Sequence, residues 1–289
     1  METVPYSPSI EDGSWFDLTG SRAVFRLSGP DRARFLNGQI TNNAAVDLSE
    51  KSIPACLCSL KGKVEALVWI TADSGDEAIL IDGELAQREQ IFARLDRYLI
   101  ADDCELEDVT GVWNLLHQFG NADQMAGGRA ANRVGLEGSD IWVKTGDETG
   151  LPAESELNVE IWEELSLLSG YPMADYEISG NEFPSELRLD KWAVDFQKGC
   201  YLGQEIVSRI ESVGQTKKNL FLLETEKPLK IDEEVVVSGT KIGKSTRKSI
   251  QIEKDIWLTL ALLITDLLEP LLTDPEEDPV RVYLPNFTR

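Results

Sequence analysis

A chain of 289 residues with 42% apolar side chains has material for one large or two to three small packed units. Its 28 Lys and Arg stand against 51 Asp and Glu, a formal charge of −23, and a surface of that sign repels a phosphate backbone, which argues against a nucleic-acid binder. The four cysteines, Cys56, Cys58, Cys104 and Cys200, are too thinly spread for a disulfide framework, and the opening METVPYSPSIEDG has no basic stretch or apolar run of the kind that directs export, so a reducing, cytoplasmic location is expected.

In chain order, AVFRLSG (23–29) alternates as a strand. PDRARFLNGQ then reads as a helix with Pro30 at its first position and Asp31 beside it, where a fixed φ and the helix dipole both favour initiation. PACLCSL and KVEALVWIT are two strands joined by a turn at Lys61-Gly62, and EAILIDG (77–83) is a third. From Leu85 to Ile100 the apolar residues Ile91, Phe92, Leu95 and Leu99 recur at helical spacing among charges, the pattern of an amphipathic helix lying on a sheet. The acidic stretches ADDCELED (101–108) and DPEEDP (274–279) lack the glycine-punctuated alternation of a calcium loop and read as solvated loops. His117, the sole histidine, sits in VWNLLHQF and is expected as a packed strand residue. DIWVKT (140–145) is a further strand, and NVEIWEELSLLSGYP a helix opened by Asn158 and stopped by Gly170 and Pro172. Beyond Gln215 the short strands KNLFLLET, EEVVVSG, TKIGKS, IWLTLALLI and VRVYL suggest a small β-barrel. The apolar run IWLTLALLIT (256–265) is far short of the ~20 residues a membrane span needs, and Asn286-Phe287-Thr288 reads as a chance sequon.

SGTKIGKS (238–245) imitates a phosphate loop but is one residue short between its first glycine and Gly-Lys-Ser, so a hairpin turn is expected. Cys56 and Cys58 are closer than zinc-ligand spacing and share one face of a strand, so no metal site is expected. The chemistry concentrates in KGCYLGQEIVSR (198–209). Gly199 and Gly203 remove side chains where a flat ligand or another backbone must approach, Tyr201 offers a stacking face, and Gln204 and Glu205 supply donors and acceptors for the edge of a fused heterocycle. Lys198 and Arg209 add cations. Between Lys191 and Lys218 there are five basic residues against three acidic ones, a local excess of +2 that would draw an anionic ligand tail. Lys198 would also lower the Cys200 pKa if the two side chains converge. The residues alone leave a ligand-binding loop, a reactive cysteine and a structural turn open.

KGCYLGQE with the trailing Arg209 resembles the signature of the YgfZ family, folate-binding relatives of the glycine-cleavage T-protein (aminomethyltransferase). LSGPDRARFLNGQITNN (27–43) and GTKIGKSTR (239–247) are similar to two further segments of that family, so the resemblance spans about residues 20–250. It implies an α+β, T-protein-like fold: a folate-binding region over 1–215 made of two ferredoxin-like α+β subdomains, and a C-terminal small β-barrel over 216–289. A central cavity would hold tetrahydrofolate, with the pterin deep and the glutamate tail near basic groups. The resemblance further implies an accessory role in assembly or repair of iron–sulfur enzymes, and through them in tRNA modification. The partners would be iron–sulfur client proteins, without direct contact to nucleic acid or membrane. Carried onto this chain, Cys200 takes the catalytic position, and Lys198, Gly199, Tyr201, Gly203, Gln204, Glu205, Arg209 and Asn42 the folate-binding ones.

The alternative from the same resemblance is folate-dependent aminomethyl or one-carbon transfer. Three departures bear on it. The family's Thr-Asn-Asp is Thr41-Asn42-Asn43 here. The carboxylate that assists chemistry on the folate nitrogen in T-proteins has Glu65 or Asp190 in its place. The glutamate that grips the pterin in some members is matched by Leu168, leaving Glu186 or Glu205 to substitute.

Overall fold

The computed structural model describes residues 5–6, 10–73, 78–120, 127–214, 216–271 and 280–285. The acidic stretch at 274–279 and the sequon at 286–288 lie outside the described residues. The chain opens with strands β1 (Trp15–Asp17) and β2 (Arg22–Ser28), helix α1 (Arg32–Gln39), strands β3 (Ile53–Cys58), β4 (Val64–Ala72) and β5 (Ala78–Glu84), helix α2 (Arg88–Asp96) and strand β6 (Glu105–Asp108). The middle holds strands β7 (Trp113–Phe119), β8 (Arg129–Ala131) and β9 (Gly138–Lys144) and helices α3 (Val159–Ser169) and α4 (Gln204–Val213). Strands then dominate: β10 (Lys218–Thr225), β11 (Glu234–Val237), β12 (Thr240–Ser245), β13 (Ile250–Glu253), β14 (Ile256–Ile264) and β15 (Val280–Tyr283), with α5 (Thr265–Leu271) before the last.

These strands form three antiparallel sheets, ordered β3-β4-β5-β2-β6, β1-β7-β9-β8 and β11-β12-β14-β10-β15, the last with β13 paired to β14. The period-two alternation of β2 divides the first sheet's faces: Ala23, Phe25 and Leu27 meet Phe35 and Leu36 of α1 and Ile91 and Leu95 of α2, while Val24 faces the opposite core. That opposite core is shared with the second sheet, where Phe16, Leu115 and Phe119 pack with Leu165 of α3 and with Cys56, Leu67 and Trp69 of the first. The N-terminal β1 therefore completes a sheet whose other strands lie about a hundred residues on.

Several expected features form for the expected reasons. Asn158 caps α3 by accepting from the Ile161 N–H at 3.1 Å, and Gly170 closes it in the left-handed conformation at φ 70°. Ser238 and Gly239, both at positive φ, make the hairpin turn between β11 and β12. Other features differ. α1 begins at Arg32, because the Asp31 carboxylate is used to accept from the Asp103 N–H at 2.8 Å, which makes Pro30-Asp31 a turn docked on the 103 loop. The helix expected over 85–100 is regular only from Arg88 to Asp96. Half of the acidic run at 101–108 is the edge strand β6, paired to β2 with Leu106 opposite Leu27. IWLTLALLI is β14, with Leu258, Leu260, Ala261 and Leu263 buried, and no helix among the described residues is long and apolar enough to cross a membrane.

A ladder of buried ionic groups joins the first two sheets. Arg22 Nε donates to Asp82 Oδ1 (2.7 Å); Arg133 Nη2 donates to Asp82 Oδ2 and to Asp140 Oδ2 (2.8 Å each), and Arg133 Nε to Asp140 Oδ1 (2.8 Å). Asp140 Oδ1 also meets His117 Nδ1 at 3.0 Å. Burial would raise the Asp140 carboxyl, but Arg133 and His117 overcome it and hold it well below the usual carboxylate range. Burial pulls the His117 imidazole below its ordinary value, against the opposing pull of Asp140. A second clamp ties the third sheet to the rest: Arg247 Nε donates to Glu177 Oε1 (3.0 Å), Arg247 Nη1 to Ser166 Oγ (2.8 Å), and Thr246 Oγ1 to Glu177 Oε1 (2.6 Å).

Two outcomes test the ladder. Arg133→Met leaves Asp82 and Asp140 buried without their shared cation, and urea denaturation should show a loss of about 3–5 kcal/mol. Because the folded His117 refuses a proton that the unfolded chain accepts, stability should fall as pH drops below its ordinary pKa of 6.5. The slope of the urea midpoint between neutral pH and about pH 5 should flatten in His117→Phe.

Candidate functional site

An open cavity of about 830 Å³ lies where the Lys51–Pro54 edge, the β8–β9 hairpin and the segment 191–197 meet. Its apolar wall is Trp69, Trp192, Phe196, Val194, Ile53 and Pro54. Trp69 is fully buried and its Nε1 donates to Tyr171 Oη at 3.2 Å. Trp192 lies against the Trp69 ring at 6.4 Å and stacks on Tyr171 at 5.9 Å. Aromatic rings fixed in this way present flat faces that need no ordering on binding.

The polar wall is sparse. Ser52 is buried, is placed by its N–H to Ala130 O (2.9 Å), and its Oγ has no partner among the described residues. Asp195 Oδ1 accepts from the Gln197 N–H (2.8 Å). Lys51 and Lys191 are exposed on the lining, with Glu137. Gly138 connects this cavity to the ladder: it lines the wall, and a Cβ there would stand 2.8 Å from His117 Nε2 and 2.5 Å from Gln118 O, so only glycine lets β9 close over the buried imidazole.

Among the residues expected at the site, Asn42 lines this cavity, and its side chain is spent on the backbone: Nδ2 donates to Pro54 O and Oδ1 accepts from the Asn43 N–H, both at 2.8 Å. The signature loop runs past the rim instead of forming the wall. Lys198, expected as a cation for ligand or thiolate, is buried, and its Nζ donates to Asn37 O, Ile40 O and Asn42 O at 2.6, 2.7 and 2.8 Å. It ties the C-terminal end of α1 to the segment that follows and has no proton left for Cys200. Burial draws its pKa down to about 8, while the three carbonyl acceptors favour the ammonium form. Tyr201, expected as an open stacking face, is buried beneath Lys198, and burial raises its phenol, whose oxygen has no partner among the described residues.

Gly203 has a different role from the one the sequence suggests. At φ 84° it starts α4, and a Cβ there would meet Ser59 O at 2.4 Å, so it seats α4 on the β3–β4 turn and leaves no room there for a ligand. Gly199 has open space around it. Gln204 is half-buried in the first turn of α4, and Glu205 and Arg209 are exposed on it, outside the cavity lining. Cys200 is exposed. The other thiols are not comparable: burial pushes Cys56 up to about 12, Cys58 well above its ordinary value and Cys104 up to about 11.

The carboxylates considered for folate chemistry lie elsewhere. Glu65 is paired with Arg94 (3.0 Å), Glu186 accepts from the Phe183 N–H (2.8 Å), and Asp190 is paired with Lys191 (2.9 Å). Leu168 packs with Leu220 and Leu258 in the core beneath the third sheet. The cavity's own acids are Asp195 and Glu137, which sequence reasoning missed along with Trp69, Trp192 and Ser52. The available signal was the run Lys191-Trp192-Ala193-Val194-Asp195-Phe196 just ahead of the signature, with two aromatics and an acid in a segment without helix or strand period. Among the described residues no group of three or more His, Cys, Asp or Glu is placed to hold a metal.

No protein-family profile matches the chain. The tRNA-modifying protein YgfZ of Colwellia psychrerythraea is 24% identical over 250 residues, covering 77% of this chain and 75% of that protein. The iron–sulfur cluster assembly factor IBA57 homolog of Neurospora crassa, a mitochondrial protein, is 28% identical over 224 residues, covering 69% of this chain and 51% of its own length. The crystal structure of the glycine cleavage system aminomethyltransferase T from Bartonella henselae superposes with a TM-score of 0.75 at 15% identity, over 96% of this chain and 87% of that one. The relatives and the shared fold agree with the signature at 198–205: this chain is similar over most of its length to proteins of the YgfZ family and has the fold of the glycine-cleavage T-protein.

Proposed function

We propose that this chain binds a reduced folate in the 830 Å³ cavity and acts as an accessory protein in the assembly or repair of iron–sulfur enzymes, and through them in tRNA modification. The names of its YgfZ and IBA57 relatives support the second half of this reading. The first half rests on one observation, a roomy cavity with fixed indole faces and an unpartnered buried hydroxyl at Ser52. That donor set suits a pterin. Trp192 and Phe196 would take the flat faces, Ser52 and Asp195 the polar edge, and Lys51 and Lys191 the glutamate carboxylates. Bound tetrahydrofolate supplies a carrier of one-carbon units. The chain itself would orient the ring, keep water from its inner face and neutralise the tail.

Aminomethyl transfer draws no support from Glu65, Asp190, Glu186 or Glu205, because none of them lines the cavity. Cys200, an exposed thiol three residues beyond the lining residue Gln197, is the group available to a client protein. The net charge of −23 disfavours direct contact with tRNA and fits a partner of proteins.

Calorimetric titration with tetrahydrofolate should give heat that diminishes with added salt, because charge pairs at a rim are screened. Trp192→Ala should weaken binding by about tenfold, the scale of losing one stacked ring. Absence of heat at millimolar ligand would reject the folate assignment. For the thiol, a maleimide should label Cys200 before Cys56, Cys58 and Cys104. Cys200→Ser should keep folate affinity while failing to restore iron–sulfur enzyme activity in a strain lacking the protein; full restoration would make the signature a purely structural clasp.

A further inference from the structure

A second cavity, of about 420 Å³, lies on the far side of the Tyr171 and Trp192 pair and shares no lining residue with the first. Its apolar wall includes Phe16, Leu18, Trp162 and Met173. Six charged groups also line it, Arg22 and Arg133 against Asp17, Glu84, Glu156 and Glu163, and of these Arg22 and Glu84 each keep an open polar edge. Arg22 is only 6% exposed; Asp82 holds its Nε at 2.7 Å and its Nη2, through the backbone oxygen, at 3.3 Å. Its Nη1 has no partner among the described residues. Glu84 Oε1 accepts from the Ala174 N–H at 2.9 Å, and Oε2 has no partner among the described residues. The two side chains line one cavity without forming an ion pair with each other.

We infer that this second cavity binds a small free amino acid, its carboxylate on the open edge of the Arg22 guanidinium, its ammonium on Glu84 Oε2, and its side chain against Trp162 and Met173. A guanidinium edge is matched by a carboxylate, a lone carboxylate oxygen by an ammonium. A zwitterion brings both charges in one small body, adding a second acceptor to an Arg22 already paired with Asp82 and a cation to the half-buried Glu84. The lining carboxylates Asp17, Glu156 and Glu163, all exposed, add to the attraction for a ligand that carries an ammonium group. Burial raises the Glu84 carboxyl against the pull of Arg22. The volume accommodates an aliphatic side chain with room for bound water. The inference does not depend on folate in the first cavity.

The test is calorimetry on the full chain with L-leucine, isopentylamine and 4-methylpentanoate, each to millimolar concentration. Leucine should bind, and each half-ligand, carrying one charge only, should bind at least about tenfold more weakly. Glu84→Gln retains the acceptor for Ala174 but loses the counter-charge, and should weaken leucine binding about tenfold with an unchanged urea midpoint. Trp162→Ala should weaken leucine more than it weakens alanine. No heat with leucine, equal affinities for the three ligands, or an unaltered leucine affinity in Glu84→Gln would each overturn the assignment.

Discussion

Arg133 is shared between two buried aspartates, and the rest of the molecule is arranged around that arrangement. Asp82 comes from β5 of the first sheet and Asp140 from β9 of the second; neither sheet can slide without exposing an unpaired charge to a dry interior. A purely apolar interface would tolerate such slippage, since methyl groups repack at modest cost. The ladder converts a hydrophobic contact between two sheets into a single register. Its guanidinium also lies 4.7 Å from the Trp69 ring, so the element that sets the register also fixes one wall of the large cavity.

The clamp at Arg247 does the same for the third sheet. Glu177, in the turn after α3, is held by Arg247 and Thr246 from the segment after β12, and Ser166 of α3 joins them. Both clamps meet the backbone or side chain of the Gly170–Glu177 turn, because Tyr171 touches Trp69 on one side and its carbonyl accepts from Arg247 on the other. That short turn is where all three sheets are mechanically connected. The two cavities lie on either side of it, separated by Tyr171 stacked on Trp192.

The signature loop is better understood as a clasp than as a wall. Lys198 ties off the end of α1, Gly203 seats α4 on the β3–β4 turn, and Tyr201 is enclosed between them. Its two ends are held in this way, and Gly199 and Cys200 between them are exposed. The backbone around this one exposed thiol is fixed from both sides, and Cys200 is not among the residues that line the large cavity. The strong acidity of the chain bears on which partner face approaches, since a basic one would be attracted and an acidic one repelled.

The sequence by itself determined most local structure and the family resemblance. Alternation set β2, apolar runs around the Lys61-Gly62 turn set β3 and β4, a third such run set β5, Asn158 and Gly170 bounded α3, Ser238-Gly239 made a hairpin turn, and the solitary His117 was a packed strand residue. These depend on neighbours within a few positions, where periodicity and turn chemistry suffice. What the tertiary structure decided was which way the functional-looking side chains point. A lysine in a signature can serve a ligand or a helix end, and the carbonyls of Asn37, Ile40 and Asn42, about 160 positions earlier, settled it for Lys198. Asp82, Arg133 and Asp140 look like surface charges in the sequence, because burial of a charge depends on partners brought together by sheet packing. Trp69 and Trp192 likewise become one aromatic surface only when strands 4 and the segment ahead of α4 meet, a long-range contact that no local period encodes.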